Sequence, residues 1–72
     1  MKAEQYDLLV KLMRGSPDAA ANRAARRVLV DGITQADAMR ETGASRAGVS
    51  HAVGRYTDAY DRIQEVFGFK NS

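Results

Sequence analysis

The stretch TQADAMRETGASRAGVSHAVGRY, residues 34–56, decides the fold. Gly43 divides it. Before the glycine, Thr34 stands as a helix cap and Asp37, three positions on, as a shortened capping-box acid, which predicts a short helix over about 35–42. After it, Ser45 offers a cap oxygen to a second helix that starts at Arg46. Only Gly43, Ala44 and Ser45 lie between. Two helices joined by so short a glycine-containing turn form a helix-turn-helix, the arrangement that lays its second helix in the major groove of DNA.

That second helix continues. Val49, Val53, Tyr56, Tyr60, Ile63 and Phe67 follow one another at alternating spacings of four and three, which keeps one narrow apolar seam in register to about Gly68. At about 100° per residue, Ala47, His51, Gly54, Arg55 and Asp58 point away from the seam, with Arg46, Gly48 and Ser50 on the flanks. Small residues let a backbone approach, arginine pairs with guanine edges, and a helix N-terminus attracts phosphate. His51, Arg55, Ser50 and Ala47 are therefore the candidate base contacts. Gln35, Ser45 and Arg46 are candidate phosphate contacts, joined by Arg26 and Arg27 from the preceding helix. Gly54 costs an exposed helix about 1 kcal/mol relative to alanine. It clears space for a phosphate strand, bends the helix to follow the groove, or lets a neighbouring helix pack closely.

Two further helices precede the motif. Tyr6, Leu9, Val10 and Met13 share one face of a helix over 3–14 that Gly15 stops. Ser16-Pro17-Asp18 reads as cap, first-turn proline and first-turn acid of a helix running to about Asp31, closed by Gly32. The reading is all-α: a small domain of four to five helices spanning 1–72, with the motif at about 34–57 and a C-terminal extension at about 58–67. Leu8, Leu9, Leu12, Val28, Leu29, Val30 and Ile33 supply the core, and the tail from Phe69 to Ser72 is expected to fray.

Composition excludes much else. The 72 residues contain no cysteine, so disulfides and thiolate metal sites are ruled out, and a cytoplasmic location fits. No apolar run approaches the roughly 20 residues of a membrane span. Eleven lysines and arginines against nine acids leave a charge of +2, so the distribution carries the meaning. Arg23, Arg26 and Arg27 form one acid-free island; Arg46, His51 and Arg55 form another. A lone histidine without clustered ligands is no metal site, and the scattered Ser, Asp and Glu form no catalytic arrangement. The protein reads as no enzyme, with neither cofactor nor metal.

The stretch ARRVLVDGITQADAMRETGASRAGVSHAVGRY, residues 25–56, resembles the KorA/TrfB family of plasmid and phage transcriptional repressors. The resemblance rests on V-L-V-D-G followed at the right separation by R-x-x-V-S-x-A-V-x-R. It implies that the second helix of the motif reads operator DNA, and that Arg46, Ser50, His51 and Arg55 occupy DNA-facing positions. One member of the family carries Gln where His51 stands, which implies the same job for His51 with a different base preference. Met39 occupies a helix crossing where a small residue is usual, and Thr42 a site where an apolar one is common. The family's dimers use a further C-terminal segment, so the resemblance does not supply the dimer face here. An aromatic seam at Tyr56, Tyr60, Ile63 and Phe67 would supply one if the long helix projects from the body.

The expected function is repression of transcription in a mobile genetic element by a homodimer bound to a palindromic double-stranded operator. The alternative is a small phage or plasmid protein that uses the same fold to bind and inhibit a host protein. An architectural binder that bends DNA is a third option.

Overall fold

The structure, a computed structural model, describes residues 1–67 and consists of four helices: α1 (Ala3–Leu12), α2 (Ala20–Asp31), α3 (Gln35–Thr42) and α4 (Arg46–Phe67). The expected helix end at Gly68 and the fraying of Phe69 to Ser72 lie outside the described residues. No helix is long and apolar enough to cross a membrane.

The helix-turn-helix forms with the expected bounds, because its punctuation is local. Thr34 Oγ1 accepts a hydrogen bond from the Asp37 amide at 3.1 Å, which caps α3. The other half of the capping box is missing: the Asp37 carboxylate turns instead to Arg40. Gly43 adopts a left-handed φ of 76° and its amide closes on Met39 O at 2.8 Å, ending α3. Ser45 Oγ then accepts from the Gly48 amide at 3.0 Å, which caps α4. Thr42 is useful in this turn as a polar residue. Its hydroxyl donates to Ala38 O at 2.7 Å and accepts from the Ala44 amide at 3.2 Å, so one side chain ties both sides of the turn.

The motif encloses a small core of Ala24, Ala38 and Val49, all fully buried. Ala38 is the small residue at the tight crossing, and Met39 packs at the margin with Val28, Ile33 and Val53. Opposite lies the main core of Tyr6, Leu9, Val10, Ala25, Ala52 and Tyr56. Its two tyrosine rings meet edge to face, centroids 5.1 Å apart, worth about 0.5–1.5 kcal/mol beyond their burial. Desolvation raises the Tyr6 hydroxyl well above its ordinary pKa, so it is a neutral donor, given to Asn22 O at 2.7 Å.

The ends of α1 and α2 differ from expectation. α1 stops at Leu12, and the residue that takes the left-handed turn is Arg14, at φ 58°, rather than Gly15. Arg14 N reaches Lys11 O and Gly15 N reaches Val10 O, the pattern of a Schellman end. Gly15 serves a different need: a Cβ there would land on the Tyr56 hydroxyl. Ser16-Pro17-Asp18 does not open α2. Ala19 N bonds back to Ser16 O at 3.2 Å, closing a β-turn with proline second, and Asn22 Nδ2 clips the same carbonyl at 2.8 Å. α2 begins three residues later than the proline.

The core supply is also corrected. Leu8 and Leu12, counted as core residues, are 55% and 63% exposed, because α1 buries the side of Tyr6, Leu9 and Val10.

Ion pairs tie the helices from outside. Arg26 holds Asp7 of α1 at 2.8 Å, and Arg27 spans Asp31 and Glu41, joining α2 to α3. The hydrogen bonds from Arg26 and Arg27 hold the Asp7 and Glu41 carboxyls below their usual range. A carboxyl with a lowered folded pKa adds stability above its unfolded value near 4, and that stability is lost as pH falls through the lowered value. The melting temperature should therefore drop as pH is taken below about 4, modestly because both pairs are exposed. The D7N/E41Q double variant, melted across the same range by circular dichroism, should show a flatter profile.

Candidate nucleic-acid interface

The first turns of α4 are held on their inner side by Val49, Ala52 and Val53, and present the opposite side to solvent. Arg46, Ala47, Ser50, His51, Gly54 and Arg55 are all exposed on it. Nothing lies within 4 Å of where a Gly54 Cβ would stand, so close helix packing is not the reason for this glycine. Gly48 is the glycine with a packing role. A Cβ there would meet Ser45 Oγ at 3.0 Å and Ala21 Cβ at 3.4 Å, so its absence lets the N-terminus of α4 settle on α2 and on its own cap.

The motif's two helices are joined at this surface. Ser50 Oγ donates to Gln35 Oε1 at 3.0 Å, bringing together two residues that lie fifteen positions apart. The α4 N-terminus, with free amide dipole and no acid in its first turn, adds positive potential beside Arg46.

Charge pairing separates Arg26 and Arg27 from the basic residues of α4. Arg26 and Arg27, expected at phosphates, spend their guanidinium groups on Asp7, Asp31 and Glu41 at 2.8–3.1 Å. Both are raised in pKa chiefly by those hydrogen bonds. Their structural role is to brace α2 against its neighbours. Arg46 and Arg55 have no ion pair among the described residues, and Arg55 lies 6.0 Å above the Tyr56 ring. Asp58, the acid at the end of the face, is paired with Arg62 at 2.9 Å and does not oppose Arg55.

Arg40 was not foreseen. It is paired with Asp37 yet largely exposed, and it lines a shallow depression at the turn together with Arg46, Ala36, Met39, Gly43 and Ala44. Its place in the last turn of a helix capped by Thr34 was the available signal. Of the seam residues, Tyr56 is 1% exposed and belongs to the core; it has no surface to give to a second chain. Tyr60 and Ile63 are half-buried, and Phe67 is exposed.

A basic face of small residues on the second helix of a helix-turn-helix is now joined by a match along nearly the whole chain: the family model for the TrfB plasmid transcriptional repressor, KORA, covers residues 1–71. The chain belongs to this TrfB family. The match takes in all four helices, well beyond the residues 25–56 that carried the resemblance. The TrfB family is one of transcriptional repressors, a regulatory family. No curated protein and no solved structure matches the chain significantly.

Proposed function

We propose that this TrfB-family protein binds a palindromic operator as a homodimer and represses transcription from it. The observation that carries the reading is that Arg46 and Arg55, without ion-pair partners among the described residues, share one exposed face of α4 otherwise made of small or polar side chains. The other arginines outside the ion pairs, Arg14 and Arg23, lie elsewhere, before and on α2. A protein with only +2 net charge that keeps these two cations uncommitted on one face of α4, Arg46 at its N-terminus and Arg55 further along, has positive potential where phosphate would sit.

In this reading Arg55 and His51 contact base edges in the major groove, with Ser50 and Ala47 beside them, the alanine small enough to lie against a thymine methyl. Arg46, Ser45 and Gln35 hold backbone phosphates at the entry of the helix. The Ser50–Gln35 hydrogen bond fixes the two side chains before DNA arrives, which lowers the ordering cost of binding.

Mobility shift on DNA from upstream of the protein's own coding region, with random DNA as competitor, tests the reading. Arg46 from two protomers neutralises about two phosphates, so log K should fall with log salt with a slope of at least roughly −2. Tight binding that survives competitor and shows this slope is the expected result. Binding to neither that fragment nor a library of selected sequences, together with a salt-insensitive protein partner, would replace the operator reading with that of a protein-binding inhibitor.

A further inference from the structure

We infer that the cleft between α1 and α2 is a binding site for a small aromatic carboxylate. The cleft has a volume of about 370 Å³ and a mostly apolar wall, and is lined by Tyr6, Val10 and Lys11 of α1, Pro17 of the intervening turn, and Asn22 and Arg26 of α2. Ligand sites run from roughly 300 to 1,000 Å³ and set a few polar groups in an apolar wall. This cleft is of that kind.

The polar groups of the wall decide what it can hold. The Tyr6 hydroxyl donates to Asn22 O at 2.7 Å, Asn22 Nδ2 donates to Ser16 O at 2.8 Å, and Arg26 takes both oxygens of Asp7 at 2.8 and 3.1 Å. These groups are already satisfied by the fold, so a neutral polar ligand would lose its hydration and find few partners. Lys11 is different. It is exposed and has no ion pair among the described residues. With Arg26 and Asp7 cancelling each other, its ammonium is the charge the cleft has to offer. One uncommitted cation selects one anionic group on the ligand, through a charge-assisted hydrogen bond. Tyr6 and Pro17 supply ring surfaces and Val10 an aliphatic one, which together suit a flat apolar body behind that group.

Both walls are set before a ligand arrives. The Arg26–Asp7 pair bridges α1 and α2, and the Asn22 clip on Ser16 O holds the turn that carries Pro17, so binding has little ordering to do. No described residue of α3 or α4 lines the cleft. A molecule seated there leaves the exposed face of α4 open, and its binding does not depend on the operator reading.

Titration of the isotope-labelled full chain with naphthoate, followed by amide correlation spectra, tests the site. The amides of Lys11, Gly15 and Asn22 should shift and saturate, with a Kd at or below about 1 mM. Lys11→Gln should weaken naphthoate by about three- to fivefold, as for the loss of one partly exposed ion pair, and should leave binding of the neutral naphthylmethanol unchanged. Because Lys11 is exposed, the variant should melt like the wild type. No saturable shift, shifts centred instead on Leu8 and Tyr60, or equal naphthoate affinity in the wild type and Lys11→Gln would each overturn the inference.

Discussion

Tyr56→Ala should cost about 3–5 kcal/mol of unfolding free energy, the usual range for truncating a buried aromatic residue. A chain of this length has only about 4–10 kcal/mol in total, so urea unfolding followed by circular dichroism should show the variant near the edge of stability. The reason is position. Tyr56 is 1% exposed, meets Tyr6 edge to face, and joins α4 to both α1 and α2. Tyr56→Phe should behave in the opposite way. The hydroxyl is buried and makes no hydrogen bond among the described residues, so removing it loses no partner and relieves an unpaired polar group, leaving stability equal or raised by up to about 1 kcal/mol.

Gly15 makes the same experiment sharper. Its missing Cβ is what leaves room for the Tyr56 hydroxyl, with Asn22 Nδ2 at 3.3 Å and Val10 Cγ1 at 3.4 Å on the other sides. Gly15→Ala should therefore destabilise the wild type by about 1–3 kcal/mol and cost clearly less in the Tyr56→Phe background. Equal costs in the two backgrounds would show that the alanine methyl is resisted by Asn22 and Val10, not by the hydroxyl.

These residues also mark where sequence reasoning stops. The turn at Gly43 and the caps at Thr34 and Ser45 are decided by neighbours within four positions, so the bounds of α3 and the start of α4 were legible. Ser16-Pro17-Asp18 was not, because a β-turn with proline second and a helix start use the same residues; Asn22, six positions on, selects the turn. Leu8, Leu9 and Leu12 are equally apolar, and only the packing of Tyr6 against Tyr56 sets which side of α1 turns inward. Asp31, four positions from Arg27, was a legible partner, but Asp7 and Glu41, which hold Arg26 and Arg27 across helices, lie nineteen and fourteen positions away. Of the first basic island, Arg26 and Arg27 are committed to acids while Arg23 donates only to the Asp18 carbonyl; on α4 neither Arg46 nor Arg55 has an ion pair among the described residues.

On the operator reading, Arg55→Ala should weaken specific binding by about 1–3 kcal/mol, roughly five- to 150-fold, and relax the preference at one base pair in each half-site. Arg55 is exposed, carries no ion pair among the described residues, and is braced only by the Tyr56 ring 6.0 Å below it. Its removal therefore leaves the core intact, and a melting temperature close to wild type should accompany the loss of affinity. Arg55→Lys keeps the charge but not the fork that grips two acceptors of guanine, so it should recover the salt slope without recovering the base preference. Gly54 then separates stability from recognition. With nothing within 4 Å of its missing Cβ, Gly54→Ala should stabilise α4 by about 0.5–1 kcal/mol in the free protein. If the DNA backbone approaches α4 at this point, the same methyl weakens operator binding. A variant more stable than wild type that binds the operator less well would locate the approach of the nucleic acid at Gly54; unchanged affinity would move the contact toward Arg46 and the N-terminus of the helix.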